Sequence, residues 1–134
     1  MKKLIVLLMV LVVGVATQAK ELKLVDALIQ VESNGKTNAI GDNGKAKGCL
    51  QIWDCVLVDV NKAYKKKYTK QDCFDKEKSK EICNLYLKLY GRAYEKKTGK
   101  KATAEVLARI WNGGPSGYKK QETVKYWNKV SKYI

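Results

Sequence analysis

Histidine is absent from the 134 residues, and proline occurs only once. Without imidazole there is no Ser-His or Cys-His nucleophile pair and no zinc site built on histidine. A Gly-rich phosphate loop and a Cys-x-x-Cys pair are also missing, so nucleotide hydrolysis and dithiol redox chemistry have no anchor. No Pro-rich linker or internal repeat divides the chain. At this length, with 46% hydrophobic residues, the expectation is one small core rather than two cores or a disordered tail. The chemistry left open belongs to carboxylates, hydroxyls, amides and lysine.

Negative charge is scarce as well: 13 Asp and Glu stand against 27 Lys and Arg, a net charge of +14. The chain opens with Met1-Lys2-Lys3, followed by an apolar run from Leu4 to Val13 that Gly14-Val15-Ala16 continue, with small residues at Thr17 and Ala19. This is the layout of a secretory signal peptide over residues 1–19, cut after Ala19, with Ala16 as the second candidate. The 13 residues from Leu4 to Ala16 fall short of the roughly 20 that a spanning helix needs, so no stable membrane anchor is expected. The mature domain, residues 20–134, would be secreted or periplasmic and loses only Lys2 and Lys3 from its charge. Such a field gathers anionic polymers. For an exported chain the expected partner is the anionic cell-wall surface, not a specific nucleic acid. The domain is expected to act as a monomer, with no cofactor and no metal.

Export changes the meaning of Cys49, Cys55, Cys73 and Cys83. An even number of cysteines in a small exported domain predicts two disulfides, each worth roughly 2–4 kcal/mol. Three connectivities are possible, and the sequence does not choose among them.

The periodicity predicts an α+β domain, mainly α-helical, with about five helices and a small β-hairpin between the first two. Val25, Leu28, Ile29 and Glu32 share one face of a first helix that stops at Asn34-Gly35. Asn43-Gly44 marks the hairpin turn. A second helix is expected from Asp54 to Tyr64, and a third from a cap at Asp75 past Tyr90. Ile82, Cys83, Leu85, Tyr86, Leu87, Leu89 and Tyr90 leave the third helix no wide polar face. Ala104, Leu107, Ala108 and Trp111 mark a fourth helix, ended by Asn112-Gly113-Gly114-Pro115. Val124, Trp127 and Val130, with Tyr126 beside them, mark a fifth.

Glu32 continues an apolar stripe, so its carboxyl should point toward the core. Lost solvation disfavours the charged form and raises the pKa, leaving an acid able to protonate a leaving oxygen near neutral pH. Asp42, in the turn Gly41-Asp42-Asn43-Gly44, sits in polar surroundings where a carboxylate stays ionised. One neutral and one charged carboxyl is how glycosidases divide acid and nucleophile or electrostatic roles, as lysozyme illustrates.

The run Leu28-Ile29-Gln30-Val31-Glu32-Ser33-Asn34-Gly35, then Asn38-Ala39-Ile40-Gly41 and Gly48-Cys49-Leu50-Gln51-Ile52, resembles the soluble lytic transglycosylase motif. Ala108-Arg109-Ile110-Trp111-Asn112-Gly113-Gly114-Pro115-Ser116-Gly117, with Tyr126-Trp127-Asn128-Lys129-Val130 and Cys83-Asn84-Leu85-Tyr86-Leu87, is similar to invertebrate-type lysozymes. The resemblance covers nearly the whole mature chain. It implies a lysozyme-like fold and cleavage of the β-1,4 bond between N-acetylmuramic acid and N-acetylglucosamine in peptidoglycan glycan strands. It implies Glu32 as the catalytic acid and Asp42 near the second carboxylate. Ser33, Gln51 and Asn112 would be cleft residues beside Gly113, with Trp53, Trp111 and Tyr118 available to stack on sugars. Trp111 departs from the His usual before Asn-Gly-Gly-Pro in the invertebrate group, and only four cysteines remain of that group's many. If Asp42 approaches the bond, hydrolysis follows. If it does not, Glu32 acts alone and the muramic acid closes on its own C6 hydroxyl. The competing reading is a non-catalytic cationic protein that binds or disrupts bacterial envelopes.

Overall fold

Leu24, Val25, Ala27, Leu28 and Ile29 recur at helical spacing and are all buried, which fixes the inner face of helix α1 across residues 23–33. The computed structural model describes residues 19–20 and 23–134. Apart from Ala19, the leader expected over 1–19 lies outside the described residues. Helix α1 ends where Asn34 and Gly35 turn left-handed, with φ of 54° and 85°.

The chain then forms an antiparallel hairpin of β1 (Ile40–Gly41) and β2 (Ala46–Lys47), in which Ile40 pairs with Lys47 and Gly41 with Ala46. Asp42, Asn43 and Gly44 make the turn with φ of 47°, 56° and 87°. Asp, Asn and Gly tolerate this region best, which is why the turn signal is legible in the sequence. At the base of the hairpin Gly48 has φ of 77°, and a Cβ there would lie 1.6 Å from the Cys73 carbonyl oxygen.

Helix α2 (Asp54–Tyr64) has the predicted bounds, and α3 (Lys76–Thr98) begins at the predicted cap, where the Asp75 carboxylate accepts the Lys78 N–H at 2.9 Å. The third helix does have a polar face, contrary to expectation. It buries Ser79, Ile82, Cys83, Tyr86, Leu87 and Gly91 and exposes Glu81, Lys88 and Arg92, with Leu85 and Leu89 half-buried on its flanks. The stripe is one helical face, wide enough to carry most of the core.

Helix α4 (Ala104–Gly113) is capped by Thr103, and α5 (Thr123–Val130) follows a braced turn. In that turn Arg109 Nε donates to the buried Thr123 hydroxyl at 2.8 Å, and the hydroxyl in turn reaches the Gly117 carbonyl at 2.7 Å. Gly117 passes so close to α4 that a Cβ would come within 2.0 Å of the Arg109 carbonyl oxygen. The inner face of α5 is Thr123, Tyr126 and Val130, whereas Val124 and Trp127 are only half-buried. Val130 is inward as expected, while Thr123 and Tyr126 take the buried places in front of it instead of Val124 and Trp127.

Cys49, Cys73 and Cys83 are buried, Cys55 is exposed, and all four are free thiols. The two disulfides expected from the sequence are not formed in this structure. The three inner sulfurs pack as small apolar groups, while Cys55 faces outward on the first turn of α2. Burial pushes the Cys73 thiol up to about 11 and holds Cys83 well above its ordinary value, so both are inert thiols at neutral pH. No helix among the described residues is long and apolar enough to cross a membrane.

Candidate active site

Glu32 lies in the last turn of α1, half-buried. Its Oε2 accepts a hydrogen bond from the Tyr126 hydroxyl at 2.9 Å. Burial pushes its carboxyl from 4.5 up to about 7. The Tyr126 hydrogen bond and the nearby Trp111 indole pull the other way, and the Asp42 charge adds the smallest upward contribution. Desolvation therefore dominates over two donors that favour the charged form. Tyr126 does not ionise in competition, because burial and then the Glu32 charge drive its own pKa far up.

Four helices build this niche. Trp111 of α4 is buried and packs edge-on against Tyr86 of α3, ring centroids 5.5 Å apart. Cys83, one turn before Tyr86, feels the Glu32 charge from below. Tyr126 comes from α5 and Glu32 from α1. A carboxyl held this way is protonated in about half the molecules near pH 7, and can hand a proton to a bound oxygen and later recover one.

The other predicted residues are disposed unevenly. Asp42 is exposed at the hairpin turn, near enough for its field to reach Glu32. Ser33 donates its hydroxyl to the Cys49 carbonyl at 2.8 Å, tying the end of α1 to the segment after the hairpin. Gln51 gives its side-chain N–H groups to the carbonyls of Ala39 at 3.2 Å and Gly48 at 2.9 Å. Both side chains expected to meet substrate thus spend these donors on the backbone that frames the niche. Truncating Ser33→Ala is expected to cost about 1 kcal/mol of stability, read from urea unfolding. An unchanged midpoint would mean the tie contributes nothing.

Asn112 is exposed after Trp111, and the Gly113 carbonyl accepts the Lys120 ammonium at 2.7 Å. Tyr118 is not at the niche. It packs edge-on against Tyr94 at 4.8 Å, and Tyr94 lies two turns along α3 from Tyr86, about 12 Å at 1.5 Å per residue. Trp53 is 40% exposed beside the hairpin, with the Lys45 ammonium 5.6 Å from its ring centre. No group of three His, Cys, Asp or Glu among the described residues could hold a metal ion.

Sequence reasoning did not assign Tyr126 or Tyr86 a role. For Tyr126 a signal was present: a buried hydroxyl needs a partner, and Glu32 was the acid expected inside. Removing that hydroxyl in Tyr126→Phe takes away the hydrogen bond that most favours the charged form and should move the Glu32 pKa above 7. The expected readout is an alkaline shift of the Glu32 carboxyl titration, followed by NMR. A shift toward acid would show that Tyr126 favours the protonated form instead.

Residues 14–134 match the family described as Transglycosylase SLT domain. Among solved structures, the fold is similar to one chain of the crystal structure of Aeromonas hydrophila PliI in complex with Meretrix lusoria lysozyme. That similarity has a TM-score of 0.67 and 26% identity, and it covers 82% of this chain and 87% of that one. No curated protein matches the chain.

Proposed function

The chain belongs to the Transglycosylase SLT domain family, which ties it to peptidoglycan, and from that footing we propose that it is an exported enzyme cleaving the β-1,4 bond between N-acetylmuramic acid and N-acetylglucosamine. The observation that carries the reading is the Glu32 carboxyl, half-buried, hydrogen-bonded by Tyr126 and protonated well above the ordinary carboxylate range.

In this reading Glu32 gives its proton to the glycosidic oxygen as the bond to the muramic C1 breaks. The positive charge that develops on the sugar lies in the field of Asp42. The Glu32 carboxylate, now the base, removes a proton either from water or from the muramic C6 hydroxyl as that oxygen bonds to C1. Tyr126 holds the carboxyl in one orientation through both halves of the cycle, and the Lys-rich surface gathers the anionic wall.

Mass spectrometry of muropeptides after digestion of purified walls tests the proposal. Reducing ends establish a hydrolase and 1,6-anhydro ends a transglycosylase. Walls left intact after prolonged incubation would refute the enzyme. The net charge of +14 favours a second reading, a cationic envelope-binding protein without catalysis. On that reading the walls stay intact and binding alone is observed.

A further inference from the structure

Three aromatic rings link the niche to helix α2, which is not among the four helices that build it. Trp111 of α4, beside the Glu32 carboxyl, meets Tyr86 of α3 edge-on, with 5.5 Å between ring centres and 86° between planes. Tyr86 in turn meets Tyr90 at 4.8 Å and 65°. The two tyrosines stand four residues apart, so one side of α3 presents both. At the end of the series the Tyr90 hydroxyl donates to Oδ2 of Asp59 on α2. The series thus begins at a carboxylate on α2 and ends at the carboxyl on α1.

An edge-on pair has a preferred geometry that an aliphatic contact lacks, because the positive edge of one ring seeks the negative face of the next. Trp111 is 9% exposed and Tyr86 4%, so both rings are enclosed on nearly every side. Tyr90 is only half-buried, and there the bond to Asp59 supplies the anchor that packing does not. The groups facing Glu32 are the Tyr126 hydroxyl of α5, the Trp111 indole of α4, the Asp42 carboxylate of the hairpin turn and the Cys83 thiol of α3. Of these, Trp111 alone belongs to the ring series.

We propose that Tyr86 is a positioning residue: its ring seats the Trp111 indole beside Glu32, and the Asp59–Tyr90 hydrogen bond seats Tyr86, so that α2 steadies the acid from outside the niche. The inference rests on the proposed role of Glu32 for its functional meaning, but titrating the carboxyl by NMR requires no turnover. The Trp111 indole favours the charged form, so unseating it should make Glu32 the weaker acid. Tyr86→Leu is expected to weaken Glu32 dissociation about threefold and move its titration to higher pH. Tyr86→Phe, which keeps the ring, should restore the wild-type titration. Tyr90→Phe keeps every ring and releases Asp59; it should shift the titration the same way, and it decides alone if Tyr86→Leu does not fold. In a Trp111→Phe background Tyr86→Leu should add nothing, because its effect passes through the indole.

A purely structural Tyr86 would lower the unfolding midpoint and leave the titration in place. An unmoved titration in Tyr90→Phe or in folded Tyr86→Leu therefore overturns the proposal. So does a shift toward acid, which would mark entry of water, or a full further shift in the Trp111→Phe background. On walls, the alkaline limb of the kcat/KM profile should rise with the titration. A shifted titration without wall cleavage would uphold the ring series and refute the glycosidase. Cleavage with an unshifted titration would do the reverse.

Discussion

Glu32→Gln is expected to reduce wall cleavage by roughly 10³-fold while the protein still folds and still binds walls. Glutamine has the shape of the protonated carboxyl, and its amide oxygen can keep the hydrogen bond that Tyr126 makes to Oε2 at 2.9 Å. What it lacks is a proton to give to the leaving oxygen and a carboxylate to take one back. The measurement is release of soluble muropeptides by wild type and variant at matched concentration, with wall binding followed in parallel. If lysis survives the substitution, the activity belongs to the cationic surface and not to the niche. Asp42→Asn under the same conditions discriminates further. A loss in hydrolytic products alone would assign Asp42 to the sugar cation, and no loss would leave Glu32 as the lone catalytic carboxyl.

The second large effect is on stability. The Glu32 carboxyl is raised from 4.5 to about 7 in the folded protein, chiefly by burial. Between those values the unfolded chain releases its proton while the folded chain keeps it, so the native state binds more protons. Stability therefore falls as pH rises across this window: the contribution of the group is fully present below about 4.5 and is lost as pH passes through about 7. At 1.36 kcal/mol per pH unit the loss amounts to at most roughly 3 kcal/mol, because Glu32 retains some contact with solvent. Urea unfolding of wild type and Glu32→Gln from pH 4 to 8 should give curves that diverge upward in pH, the variant becoming the more stable protein above 7. Parallel curves would mean that the carboxyl ionises in the folded state as readily as in the unfolded one. With diverging curves the same side chain both supplies the proposed catalysis and lowers stability at neutral pH, which is the pattern expected of a buried functional acid.

Features governed by neighbours in sequence were legible from it. The bounds of α2, the Asp75 cap and the Asn43-Gly44 turn depend on capping and on tolerance of left-handed backbone, both local properties. The inward aim of Glu32 followed from helical period alone. What could not be read depends on contacts across the chain. Tyr126 meets Glu32 over 94 residues of separation, on the same buried face of α5 as Thr123, which Arg109 of another helix holds. Ser33 and Gln51 were recognised as important positions, but their bonds within the chain were not foreseen. Motif spacing marks where a side chain belongs, and only the packed loop shows that its hydrogen bonds end on the carbonyls of Cys49, Ala39 and Gly48. The edge-on packing of Tyr118, expected among the sugar-facing aromatics, against Tyr94 likewise depends on a contact between distant segments.

The close approaches at Gly48 and Gly117 have a consequence for descent. Each brings main chain against a carbonyl oxygen of a different segment, 1.6 Å and 2.0 Å from where a methyl would stand. Drift at these two positions is blocked by shape, whatever the molecule is selected to do, whereas position 32 is free to change once cleavage no longer matters. A homologue that keeps both glycines can therefore lose the acid and still fold. In such a lineage the architecture would outlast its chemistry.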